Sequence, residues 1–578
     1  MDKKTLKKLI DTAAGRIPAD LVIKNGKIAD VYSASIVEAD IAVSGRFIAG
    51  IGRYDGKESV DARGAYIIPG LIESHIHIES SFLTPEELGR LLVPHGTTTI
   101  IADPHEIVNV AGIAGLNYIL DAAGGTAMDI KIMIPSCVPA TPYENGGAIV
   151  DARAMEEPIK DKRILGLGEF MNYSGVIAAD DDVLDKLLLA RRRDSLIDGH
   201  SPGVSGKDLN AYTVTSIHTD HECSTPEEMR EKISRGLYLM LRLGSACRDL
   251  ENLVKYVTTQ NSRRCILCSD DLQPETIFSG GHLDRHLRIC VEAGLDPITA
   301  VQMATLNAAE CFRLYDRGAI APGLRADIAL VNNLREFRVE EVFIEGKPAA
   351  REGKYLRRVT HTDNRALRGS FRVKDFSVKK LALRLASDTV TVIDIIPGGV
   401  VTGRGRAKVT RDAAGEFVFD RAKNIAKLAV IERHRNTGSV GVGLIRGYGI
   451  RRGAVAISVA HDSHNIIAAG TNDGDMALAV EHIIAMGGVA VLVKDGAVIE
   501  DKPLPLGGIM SDKNGKWVNE KLITMRKKAL EELGIRKEVE PLMTLCFMAL
   551  PVIPHLKLTD KGLFDVDHFA FIPVDIKP

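Results

Sequence analysis

The sequence predicts an α/β protein: a (β/α)8 TIM-like barrel, a composite β-sandwich domain formed by segments on both sides of the barrel, and a C-terminal α/β domain. Three observations predict it. Eight strand candidates alternate with helical segments between residues 70 and 312. A texture of short strands and turns flanks that stretch on both sides, and the pattern changes again from about residue 371.

Residues 1–18, MDKKTLKKLIDTAAGRIP, set Leu6, Leu9, Ile10 and Ala13 at helical spacing, so a short amphipathic helix is expected. The segment is basic but lacks the apolar run of a secretion signal. Residues 20–68 read as short strands, and Asn25-Gly26 between two apolar runs predicts a hairpin. The same texture returns from Ala326 to Ala349. One β-domain is therefore expected from residues 1–69 and 313–370 together.

In the barrel segment, 70–312, the strand candidates are PGLIESHIH (69–77), GTTTIIADP (96–104), DIKIMIPSCVP (129–139), RILGLGEF (163–170), SLIDGHSPG (195–203), TVTSIHTDHE (213–222), YLMLRLGS (238–245) and RCILCSDD (264–271). Two of the helical segments between them open with Thr-Pro-Glu-Glu, at Thr84 and Thr225. Threonine as N-cap, proline in the first turn and acids at the positive helix end form a good start signal. Eight such units in roughly 240 residues is the size of a (β/α)8 barrel. Residues 371–578 contain Gly-rich β-like runs and a helix, DGDMALAVEHIIAMGG. GSVGVG there resembles a phosphate loop weakly, without the Lys-Ser/Thr that should follow, and glycines at strand ends are the better reading.

Composition narrows the function classes. A net charge of −2 gives no basic footprint for nucleic acid, and 5% aromatic residues, with Trp517 the single tryptophan, give no base-stacking platform. Eight scattered cysteines form no disulfide framework, and Cys265 and Cys268 lie in an apolar run that reads as buried strand. No apolar run reaches 18 residues, so no membrane span and a cytoplasmic location are expected, with a homo-oligomer, dimer or larger, as the assembly.

Polar residues recur at the C-terminal ends of the strand candidates, where barrel active sites are built. The first strand offers His75 and His77, two apart and so on one face. The fourth offers Glu169, the fifth His200, the sixth His221 or His218, and the eighth Asp270 or Asp271. Imidazoles and carboxylates in this number make the ligand set of a divalent transition metal, or of two sharing one carboxylate. A lone His95 or His286 carries no such weight.

PGLIESHIHIESS, GTTTIIADPHEI, GLGEFMNY, DGHSPG, TDHE, SDD followed by GGHLD, and the later AHDSHN and LPLGGIMSD together resemble the bacterial-type adenine deaminases of the amidohydrolase superfamily. The resemblance spans essentially the whole chain. It implies two metals, with His75, His77, Glu169 and Asp270 around one and Glu169, His200 and His221 around the other. Mn2+ or Fe2+ is favoured, and Zn2+ is compatible. Related enzymes that open cyclic amides carry a carboxylated lysine at strand four; here Glu169 supplies that carboxylate.

The implied reaction is hydrolysis of adenine to hypoxanthine and ammonia, as in purine salvage, by a metal-held hydroxide attacking C6. Asp270 would relay the proton to the leaving amine. Glu222 would hold or protonate a ring nitrogen, and orienting His221 is an equally good role for it. Lesser candidates for substrate contacts are Ser136, Glu144, Asn145, His105 and His282; Asp103, His105 and Glu106, at one rim, could bind substrate or an extra metal, or cap the next helix. His461, Asp462 and His464 lie outside the barrel segment and are expected to act as a lid or a subunit contact. The competing readings are a dihydropyrimidinase-type cyclic amidohydrolase, which Glu169 argues against, and a metal-free scaffold, which the six filled ligand positions argue against.

Overall fold

A computed structural model of the protein describes residues 1–576. Five barrel strands pair in parallel in chain order: Leu71–His77, Thr97–Ala102, Asp129–Ile134, Ile164–Phe170 and Leu196–Gly199. Thr219–Asp220, Tyr238–Arg242 and Cys265–Cys268 form a second parallel run. The ring closes at two seams. His218 N donates to Ile197 O at 3.3 Å, and Asp270–Asp271 pairs with the end of the first strand, Asp270 beside Ile76 and Asp271 beside His77.

The inside of the barrel is packed, not hollow. Ile72, Ile101, Met133, Met240 and Ile266 fill its lower part, plugged from below by Ala308 and Phe312. Apolar side chains at that end and polar ones at the other make the C-terminal mouth the one place where ionisable groups can gather. Helices Pro85–Leu92 and Pro226–Ser234 begin at the two Thr-Pro-Glu-Glu runs, and Thr225 with Glu228 forms a full capping box. The sixth strand is shorter than its candidate run. Thr213 ends the helix Gly206–Thr213, whose Leu209 and Tyr212 are buried, and only Thr219 and Asp220 are in the sheet.

A four-stranded and a seven-stranded sheet flank the barrel. In the second, Ile328–Val331 runs antiparallel to Tyr66–Pro69, so segments before and after the barrel share one sheet. Ile23, Ile41, Ile67, Ile328 and Phe343 lie in the core between the sheets. The expected hairpin at Asn25-Gly26 is not one. Ala19–Lys24 pairs in the four-stranded sheet and Lys27–Asp30 in the seven-stranded one, so the turn crosses between sheets. Asn25 takes φ 57°, and a Cβ on Gly26 would lie 2.3 Å from Ile67 Cδ1. The left-handed turn and the close approach explain the Asn-Gly pair without strand pairing.

The C-terminal region is built on an eight-stranded sheet, with helix Asp473–Met486 packed on it through Met476, Val480 and Ile483. GSVGVG enters the strand Val440–Arg446, where a Cβ on Gly441 would sit 2.0 Å from Thr559 O. Gly441 admits a neighbouring backbone and Gly443 the Leu558 side chain, so the glycines serve packing and not a phosphate. No helix among the described residues is long and apolar enough to cross a membrane.

Candidate metal centre

The first strand, Leu71–His77, is buried along its whole length, and its period of two puts His75 and His77 on the inner face. Each ring is braced from behind. His75 Nδ1 lies 2.9 Å from Asp198 Oδ2, and His77 Nδ1 lies 2.9 Å from the Asp103 carbonyl oxygen. An acceptor at Nδ1 fixes the proton there and turns the Nε2 lone pair inward. The two Nε2 atoms are 3.2 Å apart.

Glu169, at the end of the fourth strand, occupies the centre. Its Oε1 lies 3.3 Å from His77 Nε2 and 3.2 Å from His105 Nδ1. Its Oε2 lies 2.7 Å from His200 Nδ1 and 3.2 Å from His221 Nε2. Burial alone would raise this carboxyl, but His105, His200 and His221 hold it well below the usual carboxylate range. Asp270 Oδ1 is 3.1 Å from His77 Nε2, and the His221 ring stacks on that of His75 at 4.1 Å.

Of the paired alternatives, His221 and Asp270 are in the cluster. His218 turns its Nδ1 to Ile197 O at 2.8 Å, and Asp271 accepts from Ser80 at the rim. Glu222 sits at the cavity edge, 3.6 Å from His221 Nε2 and 3.8 Å from His200 Nδ1. Among the substrate candidates, His105 and, at the same rim, Glu106 line the cavity; the others do not. Ser136 Oγ donates to Glu169 O at 2.6 Å, bracing the strand end from behind. Asn145 binds Asp560 through its backbone and side-chain nitrogens. Glu144 is buried near Ser463 and Asp462, and that burial pushes its carboxyl well above the usual carboxylate range. His282 bridges Thr97 and Ser269 and lies 2.9 Å from Glu73, inside the wall between the first and eighth strands.

Arg242, at the end of the seventh strand, is a cavity residue that the strand-end reading passed over. Its guanidinium joins three carboxylates: Glu222, Asp270 at 2.6 Å and Asp249 at 3.1 Å. The positional rule that picked out the other strands would have found it. Burial pushes Asp270 and Glu222 up, and Arg242, with His77 and His221 beside Asp270 and His200 and His221 beside Glu222, more than reverses this. The partners behind the histidines, Asp103 and Asp198, were legible only in three dimensions. Lys232 belongs with them: its Nζ lies 2.7 Å from both Asp220 and Ser201 O, the neighbours of His221 and His200.

The C-terminal region roofs the cavity with Val400, Phe547, Leu550, Ile553, His461 and Asp462. Phe547 stacks on His461 at 4.4 Å, and His105 Nε2 is 3.7 Å from Asp462. A largely apolar roof, with His461 and Asp462 in it, thus faces a polar floor.

The floor fits divalent cations. His75, His77 and Asp270 form one buried ligand triad, His75, Glu169 and His221 a second, and His200, His221 and Glu222 a third. Their inward nitrogens are aimed at carboxylate oxygens with no cationic side chain between them but Arg242. This is the ligand chemistry of a borderline transition ion.

Such a centre at the mouth of a (β/α)8 barrel, beside a sandwich made from both chain flanks, defines a metal-dependent hydrolase of the amidohydrolase class. The amidohydrolase family model matches residues 66–349, and that of the adenine deaminase C-terminal domain matches residues 399–570. The chain is 58% identical over 575 residues to adenine deaminase 2 of Desulfotalea psychrophila, covering 100% of both. It is 50% identical to adenine deaminase of Ligilactobacillus salivarius and 49% to that of Nitratidesulfovibrio vulgaris, each over 99% of both chains. Among solved structures, a beta-aspartyl dipeptidase from Fervidobacterium islandicum superposes with a TM-score of 0.44 at 17% identity, over 58% of this chain and 97% of that one. The chain belongs to the adenine deaminase family.

Proposed function

We propose that this enzyme hydrolyses adenine to hypoxanthine and ammonia. The observation that carries this reading is the end-to-end match to adenine deaminases, which includes the region that roofs the cavity. Dihydropyrimidinase-type chemistry is disfavoured by the same relatives and by Glu169 at strand four. The residues that would hold the metal in this reading are His75, His77, Glu169, His200, His221 and Asp270, and Glu169 would be the carboxylate common to two ions. Bound there, divalent ions supply a nucleophilic oxygen at neutral pH.

The chain's own groups do the rest. Asp270, held by Arg242, moves the two protons of the attacking water in turn, one to the ring nitrogen beside C6 and one to the departing amine. Glu222, kept ionised by the same arginine, accepts a hydrogen bond from a ring N–H. Phe547, Leu550 and Ile553 cover the purine face and exclude water, and His105 and Asp462 close the far side. Mn2+ or Fe2+ as the ions, a homo-oligomeric assembly and a cytoplasmic setting belong to the same proposal and rest on the resemblance.

The test is incubation of the purified chain with adenine and added Mn2+ or Fe2+, followed by absorbance. Conversion to hypoxanthine with one ammonia per adenine is expected. Ring opening of a cyclic amide without ammonia release, with adenine untouched, would overturn the reading.

A further inference from the structure

A second group of ligating side chains lies beside the centre and takes no part in the chemistry above. Glu106 stands on the helix His105–Ala111 after the second barrel strand, and His461 and His464 come from a turn of the C-terminal region. One ligand atom of each lies within 4.8 Å of the other two, and all three residues are buried. His461 Nδ1 is 3.1 Å from Glu106 Oε1.

Two further observations point to a ligand. His464 is 0% exposed, yet neither ring nitrogen has a partner. A neutral imidazole must present one N–H and one lone pair, and leaving both unmet away from water is costly. The second is charge. The adjoining cavity is lined by Glu79, Glu106 and Asp271 with His461, and by no lysine or arginine. Glu79 Oε2 is also buried and unpartnered. Three carboxylates thus share the cavity wall with one imidazole, and the nearest guanidinium, Arg433, is bound to the His464 carbonyl, so the buried carboxylates outnumber their basic partners there.

We propose that Glu106, His461 and His464 form a further divalent-cation site, distinct from the barrel centre, that ties the C-terminal domain to the barrel rim. Two imidazoles and a carboxylate select a borderline transition ion such as Zn2+, Fe2+ or Mn2+ over Ca2+ or Mg2+. Glu79, on the wall of the same cavity, is the next available ligand. The ligands come from both halves of the chain, so the ion fixes the turn that carries His461 and Asp462 over the main cavity. The competing occupant is protons: burial, with Glu106 beside it, pushes Glu79 to about 8, so it could be neutralised without metal.

The experiment uses the full chain, stripped with a chelator and titrated with Mn2+ or Zn2+ in metal-free buffer, with bound metal per chain measured by mass spectrometry. His464→Phe and Glu106→Gln should each hold one equivalent less than the unaltered chain at saturation. Equal stoichiometry in all three would overturn the proposal and leave protons as the occupant. Because the outcome is a difference, it does not depend on how many ions the barrel centre holds or on which substrate is turned over. Should His464→Phe fail to fold, anomalous scattering at the metal edge from crystals of the unaltered, metal-loaded chain decides. A peak between Glu106 and His464 is expected, and a blank there would overturn the proposal.

Discussion

Two side chains organise the chemistry of the centre. Glu169 touches four imidazoles through its two oxygens, so Glu169→Gln replaces a shared anion with a neutral group that can accept at one atom only. Metal affinity should fall by more than about 100-fold and turnover with it, read by metal content and ammonia release. Full activity with intact metal would remove Glu169 from its bridging role. Arg242 is the second. It lowers both Asp270 and Glu222 against the upward push of burial, so Arg242→Met should raise both. Each is needed as the carboxylate, so the acidic limb of the kcat/KM profile should move to higher pH; a limb that stays put would mean Arg242 only packs. The six proposed ligands were legible because a strand's period and a barrel's polarity state where each must point. Arg242 obeys the same rule, but a guanidinium is no metal ligand, so a ligand pattern along the sequence does not pick it out.

At the scale of elements, the ends of the fifth and sixth strands are locked by one ion pair. Lys232, from the helix Pro226–Ser234, and Asp220 both have side chains 0% exposed, and Ser201 N and Oγ also bind Asp220. The sixth strand has only two residues in the sheet, so this pair does what a longer ladder would otherwise do for His200 and His221. Lys232→Met leaves Asp220 buried and alone, and a loss of about 3–5 kcal/mol is expected, read by denaturant unfolding. Lys232→Met with Asp220→Asn should recover much of it; no recovery would show that packing of the lysine stem dominates. The short strand also explains the one poorly read barrel unit. TVT looks like strand by composition, yet Leu209 and Tyr212 just before it fill a helix position in the core, and tertiary burial outweighs β-propensity. Asn25-Gly26 misled for a related reason: the residue pair reports a left-handed turn, and which sheets the flanking strands join is decided by the partners Ile67 and Val43 bring.

For the whole molecule, the composite sandwich was readable because the same short-strand texture appears twice, and the role of the C-terminal region was not, because AHDSHN has no period and its contacts are set by packing against the barrel. That packing buries Lys502, whose Nζ has no hydrogen-bond partner and lies 3.1 Å from the centre of the Phe82 ring, just beyond the first barrel strand. Burial lowers this lysine from 10.5 to about 7. The unfolded chain keeps the proton up to its ordinary value while the folded one releases it from about 7, so between those limits the unfolded state binds more protons and stability rises with pH. Below about 7 both states are protonated and the full cost of a buried ammonium is borne by the fold. Lys502→Met removes the titration and keeps the stem's volume. The variant should therefore melt above the unaltered protein at pH 7, and the gap should close toward pH 10 as about 4 kcal/mol of penalty disappears from the unaltered chain. Scanning fluorimetry at fixed metal concentration across that range reads it directly. A gap independent of pH would mean that the ammonium is never desolvated, and with it that the barrel and C-terminal region do not seal against each other at Phe82.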